Sequence, residues 1–215
     1  LAFPLDALLG AISPKTRAIL VANPNNPTGT AIDLATVEQI LNAAPHAAVL
    51  IDEAYFEFFG TTALGLIAKY PNLFVSRTFS KAFGMAAMRM GCLISQSPNV
   101  AHLHKAQSPY SVNTLAAQAA VAAVADVDYV NAYVSEALEA REILRSGLEK
   151  LGIEQAPSAA NFILGYFGNR AVAVRDALRE RAILVRDRSY EIPGGVRITV
   201  GTKEQAHLVL AELEK

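Results

Sequence analysis

Four short apolar runs, each unbroken and each closed by a polar or turn-forming cluster, constrain this chain more than any other feature. They are Ala18–Ala22 (AILVA), residues 47–51 (AAVLI), residues 73–76 (LFVS) and residues 91–95 (GCLIS). A strand with one wet face alternates apolar and polar residues, whereas an unbroken run of this length suits a strand covered on both faces. Between the first two runs, Leu34, Val37, Ile40 and Leu41 recur at helical spacing with Asp33 at their start, where a negative charge favours a helix N-terminus. Residues 64–69 suggest another short helix, and residues 4–12 a first one. Strands alternating with helices predict an α/β fold, a mainly parallel sheet with helices on both faces.

Past Thr114 the period becomes helical to about Leu151, with Val130, Val134, Leu138, Leu144, Leu148 and Leu151 as the apolar stripe and Gly152 as the stop. A smaller α+β segment follows. Its expected elements are strand Phe162–Tyr166, a helix over 171–181, a strand over 183–186, a turn at Pro193-Gly-Gly, a strand over 196–200 and helix Lys203–Leu213. We place the domain boundary inside the long helix, giving a large domain of residues 1–130 and a small C-terminal domain of residues 131–215. In open parallel sheets the ligand lies beyond the carboxyl ends of the strands. Asn26, Asp52, Tyr55 and Lys81 all fall just past those ends.

Composition excludes several classes. Hydrophobic residues make up 52 % of the 215, enough for a sizeable core. Nineteen basic residues face twenty acidic ones, with no Lys/Arg run, so nucleic acid is not the expected partner. No apolar run reaches membrane-spanning length, the alanine-rich stretch 116–127 being short and broken by Gln118 and Asp126. Cys92 is the single cysteine, which fits a reducing cytoplasm. His102 and His104 are two apart and point to different helix faces, so no metal site is expected. The first residue is Leu rather than Met, and the expectation is that the N-terminal part of a longer protein is absent.

The chemistry concentrates around Lys81, in the stretch VSRTFSKAFGMAAMRMG of residues 75–91. An amine that attacks an aldehyde must be kept from bulk water so that a neutral fraction exists. Thr78, Ser80 and Arg89 add two hydroxyls and a cation, a set able to hold phosphate. Together they imply an aldehyde that carries a phosphate. Each residue also has an ordinary reading. Lys81 could be a solvated lysine, Asp52 a cap or ion-pair partner, Asn26 a loop-stabilising residue and Tyr55 a core aromatic.

Taken in order, the elements NPNNPTG (residues 23–29), DEAY (52–55), TFSKAFG (78–84), Arg89 and RITVGT (197–202) resemble the fold-type-I pyridoxal-phosphate aminotransferases, and within them the histidinol-phosphate branch. The resemblance runs over the whole chain. It implies pyridoxal 5'-phosphate as cofactor, with Lys81 bonded to its aldehyde and later shuttling a proton, and Asp52 paired with the ring nitrogen. It implies that Asn26 and Tyr55 donate to the ring oxygen and that Thr78, Ser80 and Arg89 bind the phosphate. Arg197 and Arg186 correspond to arginines of the substrate's anion pocket, and Asn161 to a position near the substrate carboxylate. Implied partners are a small-molecule amino donor, L-histidinol phosphate, with 2-oxoglutarate as acceptor, and a second copy in a homodimer.

Family members also carry an N-terminal arm, a glycine-rich helix start for the phosphate, an aromatic that stacks on the ring and a tyrosine crossing the dimer. None of these is found in this sequence. Two other readings share the scaffold: a decarboxylase of the threonine-phosphate type, and a non-catalytic aminotransferase-like sensor domain. A nicotinamide dehydrogenase is disfavoured because no G-x-G-x-x-G follows a strand.

Overall fold

Each of the four apolar runs becomes a strand of one sheet. The computed structural model describes residues 2–215. In chain order the elements are α1 (Leu5–Ala11), β1 (Ala18–Ala22), α2 (Leu34–Ala43), β2 (Ala48–Asp52), the single turn α3 (Phe56–Phe59), β3 (Leu73–Thr78) and β4 (Gly91–Ile94). Then come α4 (Ser97–Ala106), α5 (Thr114–Ala125), α6 (Val127–Lys150), β5 (Phe162–Tyr166), α7 (Ala171–Glu180), β6 (Arg186–Asp187), β7 (Gly195–Thr199) and α8 (Lys203–Leu213). The helix expected over 64–69 is a 3-10 turn at Ala63–Leu66. The strand expected over 183–186 shrinks to the two-residue β6.

The described residues group into two units: residues 2–24 with 31–130, and residues 25–30 with 131–215. In the first, the strand order is β1-β2-β3-β4. β1, β2 and β3 are parallel and β4 returns antiparallel to β3, with Thr78 opposite Gly91. Asp33 caps α2 by accepting from Thr36 N at 2.8 Å, which satisfies an otherwise orphaned helix amide. Val37, Ile40 and Leu41 of α2 then pack with Ile19, Val21, Val49, Ile51, Leu73 and Val75 in a single buried cluster. The second face of the sheet is less covered among the described residues. Leu50 and Phe74 are half-buried, and Leu20 on the edge strand β1 is 71 % exposed.

In the second unit, β7 lies between β5 and β6 in an antiparallel sheet. Burial follows the period of two. Ile198 and Val200 join Leu144 and Leu148 of α6 and Val209 of α8 in the core, while Arg197 and Thr199 face away. Thr202 opens α8 with a capping box to Gln205. Gly29 closes the loop over residues 25–30 at φ +80°, where a Cβ would also collide with Ser158. That position suits glycine alone.

Candidate active site

At the carboxyl end of β2, two consecutive carboxylates are held by two consecutive residues of β3. Asp52 and Ser76 are register partners, and the Ser76 hydroxyl donates to Asp52 Oδ1 at 2.8 Å. Asp52, read from sequence as a cap or ion-pair partner, thus has a neutral partner within the chain, and among the described residues it forms no salt bridge. One residue on, Glu53 is only 1 % exposed and pairs with Arg77 at 2.7 Å.

Tyr55 sits just ahead of α3, 5 % exposed. Lys81 Nζ lies 5.3 Å from its ring centroid, within the range of a cation–π contact. Lys81 is half-buried and, among the described residues, no carboxylate lies within ion-pair distance of it.

Lys81 belongs to the loop between β3 and β4, which is closed by its own backbone. Phe79 N donates to Met90 O at 3.1 Å, Met85 N to Phe79 O at 2.9 Å and Gly84 N to Lys81 O at 2.9 Å. Thr78 Oγ1 accepts from Ser80 N at 3.1 Å and reaches Met90 O at 3.4 Å. Arg89 leaves the same loop at φ +56° and donates from Nη1 to Ala86 O at 2.8 Å. A non-glycine residue in that region is uncommon and marks a position fixed by its surroundings. Thr78, Ser80, Lys81 and Arg89 are therefore carried by one closed loop.

In the second unit, Arg197 Nη1 donates to Asn26 Oδ1 at 2.6 Å, which engages the acceptor of that amide and leaves its nitrogen to act as donor. The Arg197 guanidinium lies 5.1 Å from the Phe162 ring centroid. Arg186 is its register partner across β6 and β7. Both line a cavity of about 610 Å³ that Arg175 and Arg179 of α7 also border, with Asp187 the one carboxylate. The Ser189 hydroxyl, followed by its backbone amide, holds the Asp187 carboxyl below its usual range. Asn161 is half-buried, its carbonyl accepting from Val200 N at 2.8 Å. This backbone tie anchors it beside β7.

Ser76, Glu53 and Arg77 were not singled out from sequence. The usable signal was that residues 76 and 77 directly precede the Thr78–Lys81 motif at the end of a strand. Among the described residues no group of three or more His, Cys, Asp or Glu could hold a metal ion. No described helix is long and apolar enough to cross a membrane.

The sequence matches the family described as "Aminotransferase class I and II" over residues 3–213. It is 37 % identical over 98 % of its length to the curated "Histidinol-phosphate aminotransferase 2" of Methylococcus capsulatus, and 39 % identical over 96 % to the "Aromatic amino acid aminotransferase" of Rhodococcus erythropolis. The chain spans 58 % of the length of each of these relatives. Among solved structures, it superposes on the histidinol-phosphate aminotransferase of Clostridium acetobutylicum with a TM-score of 0.91, at 26 % identity, covering 99 % of this chain and 67 % of that one. It superposes on the Sinorhizobium meliloti enzyme "in complex with pyridoxal-5'-phosphate" with a TM-score of 0.87, at 27 % identity, covering 96 % and 59 %. With the match extending over nearly its whole length, this chain belongs to the class I and II aminotransferase family.

Proposed function

We propose that this chain is the lysine-bearing part of a pyridoxal-phosphate-dependent aminotransferase, a cytoplasmic homodimer that moves an amino group between L-histidinol phosphate and 2-oxoglutarate in histidine biosynthesis. The observation that carries the reading is Lys81, without a counter-ion and packed on Tyr55, in the same unit as a strand-end carboxylate held at one oxygen only. The donor set fits the cofactor. An amine matches its aldehyde, a carboxylate its ring nitrogen, and Thr78, Ser80 and Arg89 its phosphate. Two histidinol-phosphate relatives and a solved structure named with the cofactor support the same assignment.

When bound, the cofactor supplies an electron-accepting ring that stabilises negative charge at the donor's α-carbon. The remaining work belongs to this chain. Lys81 would hold the cofactor's aldehyde through Nζ, and the same nitrogen would take up and return the donor's α-proton. Asp52 would hold the ring nitrogen at its carboxylate, which the Ser76 hydroxyl orients through Oδ1. Tyr55 would shield the amine from water and hold the ring oxygen through its hydroxyl, a role that the amide of Asn26 would share. Arg186 and Arg197 bind the donor's anionic end. Two guanidinium groups suit a dianion such as a phosphate monoester, and equally the two carboxylates of 2-oxoglutarate.

A second reading keeps the chemistry and changes the donor to an aromatic amino acid, favoured by the likeness to the Rhodococcus relative. Incubation with pyridoxal phosphate, borohydride reduction and peptide mass mapping test the shared core. The adduct is expected on Lys81, and a folded protein unmodified there overturns the reading. A donor panel with the full-length enzyme separates the alternatives. Histidinol phosphate is expected to give the highest kcat/KM. Phenylalanine in that place selects the second reading, and carbon dioxide release from threonine phosphate replaces transfer with decarboxylation.

A further inference from the structure

The end of β2 carries two acidic residues in succession, and the proposed function uses only the first. Because side chains alternate along a strand, Asp52 and Glu53 point to opposite sides, and β3 meets each with its own residue. Ser76 holds Asp52 on one side. On the other, Arg77 Nε donates to Glu53 Oε2 at 2.8 Å, and Nη2 to Thr62 Oγ1 at 2.9 Å. The Thr62 hydroxyl in turn donates to Glu53 Oε2 at 2.8 Å, and Ala63 N to Glu53 Oε1 at 2.6 Å. Every oxygen of this buried carboxylate is occupied.

The backbone of the same residue is fixed as well. Glu53 N donates to Ser76 O at 2.9 Å and Glu53 O accepts from Phe56 N at 3.0 Å. The Arg77 guanidinium then spans the turn and lies 3.4 Å from the centroid of the Phe56 ring. Residues 53 and 56 are thus both clamped from beneath by one arginine, and Tyr55 stands between them.

Burial of such a pair is poorly explained by stability. Replacing a buried ion pair with apolar residues of similar volume is often neutral or stabilising, whereas fixing a unique geometry is the better-attested use of one. We propose that the Glu53–Arg77 pair is a positioning device for the turn at residues 52–55, setting the direction of the Asp52 carboxylate and the Tyr55 ring relative to Lys81. This rests on the function proposed above for Asp52, Tyr55 and Lys81. Glu53 and Arg77 touch neither substrate nor cofactor in it and act through the turn.

The test replaces the pair by the double variant Glu53→Gln/Arg77→Met, which keeps volume and leaves no buried charge unpaired. Removing Arg77 alone strands a carboxylate and risks misfolding. The first readout needs no cofactor: the ring resonances of 13C-labelled tyrosines, with Tyr55 assigned by Tyr55→Phe. The Tyr55 signal is expected to shift or broaden while those of Tyr70 and Tyr166 stay in place and the melting midpoint stays within a few degrees. The second readout, in the full-length enzyme, is the split between kcat and KM. kcat is expected to fall about 10- to 100-fold, the scale of a misplacement near 1 Å, with KM within about twofold, and the pH midpoint of the bound cofactor's absorbance to move. An unchanged Tyr55 signal in a folded double variant overturns the proposal. So does a change shared equally by all the tyrosines, the mark of a structural role alone. A wild-type protein that captures no cofactor at Lys81 overturns the functional reading instead, and the tyrosine signals still decide the positioning.

Discussion

The two sheets of this molecule present side chains in different ways. In the four-stranded sheet the residues of interest lie at or past the strand ends, with Asp52 closing β2 and Tyr55 after it, and Ser80, Lys81 and Arg89 after β3. In the three-stranded sheet Arg197 lies within β7, its position set by pairing with Leu164 on one side and Arg186 on the other. Parallel strand ends open onto loops that can be remodelled one at a time, so reactive groups gather there. A residue inside an antiparallel strand is held by its register, and moving it by one position would turn it to the core face. The first arrangement suits chemistry, and the second suits recognition of a fixed charge.

The largest effect expected from breaking this comparison is at Lys81. Lys81→Met should lower amino transfer by about 10²–10⁴-fold, the range for loss of a positioned proton carrier, with every donor alike and with unchanged circular dichroism. Equal activity of the variant would remove the division of roles. Next are the cores. Leu73→Ala and Leu144→Ala each delete a side chain no more than 1 % exposed and should cost about 2–5 kcal/mol. Denaturant unfolding sharpens the picture, because each substitution should lower the transition of its own sheet more than the other.

Arg197→Gln should raise KM for a phosphorylated donor by about 10- to 100-fold, the worth of hydrogen bonds to a charged group, with a smaller change in kcat. A loss confined to kcat would move Arg197 from recognition to chemistry. The smallest effect is at Glu57, whose carboxyl is pushed up by burial. An acid whose value is raised on folding destabilises the folded state once pH passes its unfolded value, and the penalty is complete above its folded one. Glu57→Gln should therefore raise the melting midpoint by about 1–2 °C at neutral pH and leave it unchanged near pH 4. A gain at both pH values would refute the electrostatic cause.

Much of this was legible in the sequence, for identifiable reasons. AILVA and its counterparts announced the strands because unbroken apolar runs need a sheet, and Asp33 announced the start of α2 because a negative charge favours a helix N-terminus. The alternation in residues 196–200 announced which face Arg197 takes. Strand 183–186 was overestimated because Leu184 and Val185 are apolar, yet Leu184 is 79 % exposed and pairing begins only at Arg186. The Ser76–Asp52 and Arg77–Glu53 contacts were hidden because they depend on the register between two strands, which neither strand's own sequence specifies.

The antiparallel return of β4 has a consequence for how the protein could let go of a ligand. Phe79 and Met90 are bonded across the neck of the loop, and Thr78 is zipped to Gly91 just below. Lys81 and Arg89 consequently ride on one stitched flap whose two ends cannot separate independently. A fluctuation that frees one frees the other. On the function proposed here, release of the covalent anchor and release of the phosphate grip become a single event, and slow amide exchange at Phe79 would report how often it happens.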